Sequence, residues 1–227
     1  MTDLQPWDKF VLIQKTKYNQ SGIKVNWKII IDDEHHVTRL LFQETNGIID
    51  WVSNLSFPTV EVKYTDPIDK TEKSVEICVG WWSTWCSAKE EIISAYKATC
   101  DKYPEYMHEI DGWSLGGAMT KLAGFSFYVA TGEKLHANTF GSPKVEKDKN
   151  SKAKLLYCFA SFNEFDNYND IVPRLPPCGD YVAENKIMLD DSKVVWYKIA
   201  WPWKYHKKYY DKKIYDKADW FGKEIEE

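Results

Sequence analysis

Gly112-Trp113-Ser114-Leu115-Gly116-Gly117-Ala118 joins a short strand ending near Asp111 to an apolar helical run, Leu115 to Val129, that Gly132 closes. Its first five residues fit G-x-S-x-G. Alone the pattern is common, but at a strand-to-helix junction it marks a nucleophile elbow, a turn tight enough to hold a serine hydroxyl clear of the backbone. The glycines have a mechanical reason: the turn strains the serine, and side chains beside it would collide with the neighbouring strand and helix. The plainer reading is a strand-to-helix turn without chemistry.

Working outward from this junction, strands and helices alternate. Ser87-Ala88-Lys89-Glu90 has the S-x-x-E capping arrangement, and Ile92, Ile93, Tyr96 and Cys100 recur at helical spacing, which predicts a helix from about Ala88 to Lys102. Beyond the elbow helix, strands are expected at Leu135 to Phe140 and Leu155 to Ser161. Towards the N-terminus, Ile23 to Thr45 reads as a hairpin turning at Asp32-Asp33-Glu34, and Val60 to Tyr64 with Val75 to Val79 as a second strand pair. Alternation through the middle of the chain favours a mostly parallel sheet covered by helices, preceded by antiparallel strands. The stretch Lys144 to Lys154, rich in lysine but containing Glu146 and Asp148, reads as a solvated loop.

The chain has 227 residues, 44% of them hydrophobic and 28% charged, with a net charge of −4. That is the make-up of a globular domain, and no linker or repeat divides it, so residues 1–227 are read as a single α/β domain. A weakly acidic chain lacks the basic field that phosphate binding needs, so no nucleic-acid partner is expected. No stretch approaches a membrane span. Met1 to Trp7 carries Asp3 and no apolar run, and the five cysteines, Cys78, Cys86, Cys100, Cys158 and Cys178, lack paired C-x-x-C spacing. These features lead to an expectation of reduced, mostly buried thiols in a cytoplasmic protein, the alternative being secretion by a non-standard export route.

A serine hydroxyl is a weak nucleophile at neutral pH and needs a base, itself oriented by a carboxylate. Where an elbow serine leads, the acid and then the histidine follow in sequence. The downstream acids include Asp166, Asp170, Asp180, Asp190 and Asp191, and the downstream histidines are His136 and His206. His136 precedes all of those acids, which leaves His206.

Several separated motifs, in order, resemble those of the class 3 lipases, the fungal triacylglycerol lipase type. Phe42-Gln43-Glu44-Thr45, with Asp50-Trp51 and Asn54-Leu55, resembles the family's oxyanion strand and lid region. Val79-Gly80-Trp81 resembles the segment after it. The elbow follows, then Thr139-Phe140-Gly141-Ser142-Pro143 against T-F-G-x-P, Asn169-Asp170-Ile171-Val172-Pro173-Arg174-Leu175-Pro176-Pro177 against N-D-x-V-P-x-L-P-P, and a weaker H-x-x-Y match at His206. The resemblance implies an α/β-hydrolase fold and a carboxylic-ester hydrolase with Ser114 as nucleophile, Asp170 as acid and His206 as base. It implies an oxyanion hole from the backbone N–H groups of Thr45 and Leu115, with Asn54 orienting Thr45. The substrate would be an ester or lipid, with neither metal nor cofactor. Three departures bear on efficiency and substrate choice: Glu44 stands for the family's glycine, Gln43 for arginine, and Trp113 where His or Tyr is common.

The clustered Trp81, Trp82, Trp85, Trp201 and Trp203 are expected mainly in the core, the alternative being an acyl pocket or transient contact with a lipid interface. The segment Asn46 to Trp51 is short for a lid, so a partly open site is expected. The competing function is a lipase-like binding or signalling module with weak or no catalysis. A peptidase on the same scaffold is a third reading.

Overall fold

The computed structural model describes residues 11–18, 24–43, 58–167, 170–175, 186–188 and 206. Among them, strands β1 (Val11–Tyr18), β2 (Lys24–Asp32) and β3 (Val37–Gln43) are followed by β4 (Thr59–Thr65) and β5 (Glu72–Cys78). Then come α1 (Val79–Cys86), α2 (Lys89–Lys102), β6 (Met107–Trp113), α3 (Leu115–Thr131), β7 (Leu135–Phe140), α4 (Lys149–Leu156), β8 (Phe159–Asp166) and β9 (Lys186–Met188). Seven strands form one sheet in the order β1-β2-β3-β6-β7-β8-β9, and β4 and β5 make a separate hairpin. The β1–β2 and β2–β3 pairs are antiparallel, whereas β3–β6, β6–β7, β7–β8 and β8–β9 are parallel. This is the mostly parallel sheet with antiparallel N-terminal strands that the sequence pattern predicts.

One face of the sheet is apolar because alternate strand residues supply it. Val25, Trp27 and Ile29 of β2, Leu40 and Phe42 of β3, Ile110 of β6 and Ala137 of β7 join one core with α3. Every α3 residue from Leu115 to Phe125 is buried, as are Phe127 and Tyr128. A helix apolar on nearly all sides belongs in the middle of a layer, and α3 lies there, against β6, β7 and β3 on one side and α1 and α2 on the other. Trp81 and Trp85 of α1 are fully buried core residues, as expected. The Trp81 indole donates to the Lys144 carbonyl (2.9 Å) and that of Trp85 to Ser126 Oγ (2.9 Å), so neither buries an unmet N–H.

The opposite face is polar along one line. Arg39 of β3 donates to Glu109 of β6 (2.7 and 2.9 Å) and pairs with Asp111 (2.9 Å). Asp111 accepts from the Asn138 amide group of β7 (2.9 Å), and the Asn138 side-chain carbonyl accepts from Asn163 of β8 (3.0 Å). The ladder therefore links four parallel strands through side chains. Burial pushes the Asp111 carboxyl up to about 7, against the pull of Arg39, because one guanidinium serves two carboxylates and Glu109 repels the second charge.

Several local expectations are corrected. The capping arrangement at Ser87 does not form: the Ser87 hydroxyl donates to the Thr84 carbonyl (2.7 Å), closing α1, and α2 starts after Ala88 without a side-chain cap. Lys144 to Lys154 is not a solvated loop. Val145 and Glu146 are buried, Glu146 bridges to Ile77 of β5, and Asp148 caps α4 by accepting from the Ser151 N–H (2.8 Å). Leu155 and Leu156 accordingly end a helix, and the strand expected from Leu155 begins instead at Phe159. Val79 belongs to α1, a helix its short apolar run does not distinguish from a strand end. The sequence pattern does not announce strands β1 and β9 or the 3-10 turn Val172–Arg174.

Asp66 fastens the β4–β5 hairpin to α3. Its carboxylate accepts from the Ile68 N–H (2.9 Å), the Tyr128 hydroxyl (2.9 Å) and Lys73 Nζ (2.8 Å). Burial alone would raise this carboxyl, but the Lys73 ammonium and the other donors outweigh it and hold it well below the usual carboxylate range. A depressed native value stabilises the fold above the ordinary range near pH 4, and that contribution is lost as the pH falls further. Asp66→Asn should therefore lower the melting temperature by about 3–8 °C at pH 7, and the gap from the native chain should narrow progressively as the pH falls below about 4. Thermal melts at pH 7, 4 and 3 check this, and a gap independent of pH would refute it.

Candidate functional site

The elbow is strained as its sequence requires. Ser114 has φ 57° and ψ −122°, a conformation that non-glycine residues rarely hold. Two sets of contacts impose it. The Ser114 N–H donates to the Phe140 carbonyl of β7 (2.8 Å), and its carbonyl accepts from Gly117 (2.9 Å) and Ala118 (3.3 Å) at the start of α3. A Cβ on Gly112 would lie 2.2 Å from the Gly116 carbonyl oxygen, and one on Gly116 would lie 2.5 Å from that of Phe42 in β3. Helix, strand and neighbouring strand thus meet backbone to backbone. Leu115 is the first residue of α3, so its N–H has no acceptor within the helix. The Ser114 hydroxyl is buried and makes no hydrogen bond to a described residue.

Asp170 and His206 come together although 36 positions separate them. His206 Nδ1 lies 2.7 Å from Asp170 Oδ2, and both side chains are almost completely buried. The other Asp170 oxygen accepts from the Val172 N–H (2.9 Å), and the Asp170 N–H donates to the Asn167 carbonyl (3.1 Å). The carboxylate is therefore fixed by its own turn before it meets the imidazole. Lys144 N–H donates to the Leu175 carbonyl (2.7 Å), tying this turn to the loop that follows β7. Within that loop Gly141 has φ 55°, and its N–H donates to the Phe165 carbonyl (2.9 Å).

Trp113 connects the two halves of the site. Its ring stacks on the His206 imidazole, with centroids 5.1 Å apart and planes inclined by 21°. The histidine is therefore seated against the residue next to Ser114. His136, set aside by sequence order, lies in β7 with Nδ1 2.8 Å from Ser161 Oγ. Thr45 and Asn54 lie outside the described residues, as do Glu44, Cys178, Trp201 and Trp203. β3 ends at Gln43, two positions before Thr45, at the sheet end where Phe42 meets Gly116. Sequence reasoning missed Trp113 as a partner of His206, and only its unusual identity beside the serine hinted at a role.

A strained serine at the end of a parallel strand, before a buried helix, defines an α/β hydrolase. The family model for lipase (class 3) matches residues 39–180, more than half of the chain, and the chain belongs to that family. A Rhizomucor miehei lipase is 26% identical over 149 residues, which are 64% of this chain and 39% of that protein. A secreted mono- and diacylglycerol lipase A of Penicillium cyclopium is 26% identical over 148 residues, 65% of this chain and 46% of that one. The chain thus spans less than half the length of these relatives. The structure of Rhizomucor miehei triacylglyceride lipase superposes with a TM-score of 0.62 at 22% identity, covering 74% of this chain and 61% of that one, and shares the fold.

The cytoplasmic expectation is contradicted by the comparison, since the matching Penicillium cyclopium lipase is a secreted protein. Buried thiols such as those of Cys100 and Cys158 do not by themselves fix the compartment, and the Cys86 thiol is exposed. Among the described residues no helix is long and apolar enough to cross a membrane.

The backbone contacts at Gly112 and Gly116 leave no flexible group to move aside. Gly116→Ala should cost about 2–4 kcal/mol of stability, measured by urea denaturation. A variant as stable as the native chain would show that α3 does not approach β3 so closely.

Proposed function

We propose that the chain hydrolyses carboxylic esters, acylglycerols first among them, through an acyl-enzyme on Ser114. The observation that carries this reading is the buried Asp170–His206 pair, with His206 stacked on Trp113, the residue that precedes the strained Ser114 in the chain. Since Nδ1 of His206 faces Asp170, proton exchange with a hydroxyl falls to Nε2 on the other side of the ring.

In this mechanism Ser114 Oγ attacks the ester carbonyl carbon while its proton passes to His206 Nε2. Asp170 fixes the ring and compensates the charge of the imidazolium. The carbonyl oxygen becomes an oxyanion, held by the Leu115 N–H at the positive end of α3 and, on the family resemblance, by the Thr45 N–H. Collapse breaks the carbon–oxygen bond, and the alcohol leaves with the proton from Nε2. Water then attacks the acyl-enzyme by the same route, releasing the acid and restoring Ser114. Phospholipid esters are a second substrate class for the same chemistry. The secreted mono- and diacylglycerol lipase among the relatives supports glycerides as the first to test.

A fluorophosphonate probe should label the native chain and leave Ser114→Ala unlabelled, and p-nitrophenyl ester turnover should fall by about 10³-fold or more in Ser114→Ala and His206→Ala. Equal silence from native and variant chains would instead favour a binding module. Because only the neutral imidazole accepts the serine proton, turnover should decline as the pH falls from about 7.5 to 5. A flat pH–rate profile over that range would remove His206 from the mechanism.

A further inference from the structure

Trp113 ends β6, and its side chain points to the sheet face opposite α3, because Gly112 is the residue that meets α3. Asp111, two positions earlier, shares that face. His206 lies on the Trp113 ring in an offset stack, and both residues are almost wholly excluded from solvent. Among the described residues, Asp170 meets the imidazole at its Nδ1 edge and the indole lies against one face.

The two contacts fix different motions. A single hydrogen bond at Nδ1 leaves the ring free to swing about that bond, which would carry Nε2 along an arc. A flat surface against the ring removes this motion. The face of an indole is also the negative part of its quadrupole, so it favours a cation above it, and an imidazolium benefits more than a neutral imidazole. The Asp170 carboxylate at Nδ1 supplies the opposite charge for the imidazolium that forms.

We propose that Trp113 is a positioning residue, holding the His206 ring by its aromatic face so that Nε2 is directed to Ser114 and the imidazolium is favoured as it forms. The proposal rests on the ester-hydrolase reading for its kinetic consequence but not for its structural one, and the two are tested separately.

The structural test needs no turnover. In Ser114→Ala protein labelled at histidine, the Nδ1–H proton of a carboxylate-bound ring gives a low-field NMR resonance. That signal should persist with Trp113 and with Trp113→Phe, and should broaden or vanish in Trp113→Leu, which fills space without a π face. With Ser114 restored, Trp113→Leu should lower kcat by about five- to twentyfold with KM within about twofold, and Trp113→Phe should recover most of the loss. The acid limb of the Trp113→Leu profile should lie at lower pH, which a purely structural role would not produce. If Trp113→Leu does not fold, Trp113→Met serves as the non-aromatic variant. Resonances retained in both the aromatic and the non-aromatic variant, or lost in both, overturn the proposal. A native chain without esterase activity overturns the hydrolase reading while the NMR contrast still decides the role of Trp113.

Discussion

Close backbone contact between α3 and two strands of the sheet is the constraint on which the rest of the structure depends. Gly112 and Gly116 touch where any side chain would collide with a carbonyl, and Gly116 meets the Phe42 carbonyl in the same way. Helix and strand can meet this closely only if the chain reverses within one residue, and that residue is Ser114, held at φ 57°. The strain is sustained because the flanking elements are over-determined: β6 is paired on both edges and α3 is buried along nearly its whole length. One turn thereby places a serine between the strand end and the first N–H of α3.

The two faces of the sheet do different work around that turn. The α3 face is an apolar core of Trp27, Phe42, Trp85 and Tyr128 with their neighbours, which supplies most of the burial that folds the chain. The other face carries the Arg39–Glu109–Asp111–Asn138–Asn163 ladder and, beyond it, Trp113 with His206. Polar groups can be buried there because each strand offers a partner to the next. A second buried ion cluster lies on the α3 side. Lys121 of α3 meets Glu164 of β8 at 2.9 Å, with Glu146 at 3.8 Å and Lys152 at 3.2 Å from Glu164. Burial would push the Lys121 ammonium down, but Glu146 and Glu164 hold it above its ordinary range, so it stays charged and locks α3 to the loop after β7.

Motifs that combine local backbone demands with their chemistry were the legible part. The elbow could be read because its glycines, serine and following apolar run all obey short-range rules. Asp170 could be read because its turn to Val172 is local too. The misreadings share a cause. Ser87 satisfied a capping pattern but had a nearer acceptor in Thr84, and Lys144 to Lys154 looked solvated because lysine count conceals one buried valine and one buried glutamate. In each case the competing contact lay on a neighbouring turn or a distant strand.

Periodicity, glycine placement and chain order in the sequence by themselves determined the parallel sheet, the elbow at Ser114 and His206 as the candidate base, since those depend on local conformation and order, while Asp170 was singled out among several acids by its match to a family motif. Tertiary structure alone decided that His206 meets Asp170 across 36 positions and lies on Trp113, and that Lys121 is charged and paired while buried. The physical reason is that long-range pairing is set by how strands stack in the sheet, and the residues on either side of such a contact carry no local preference that announces it.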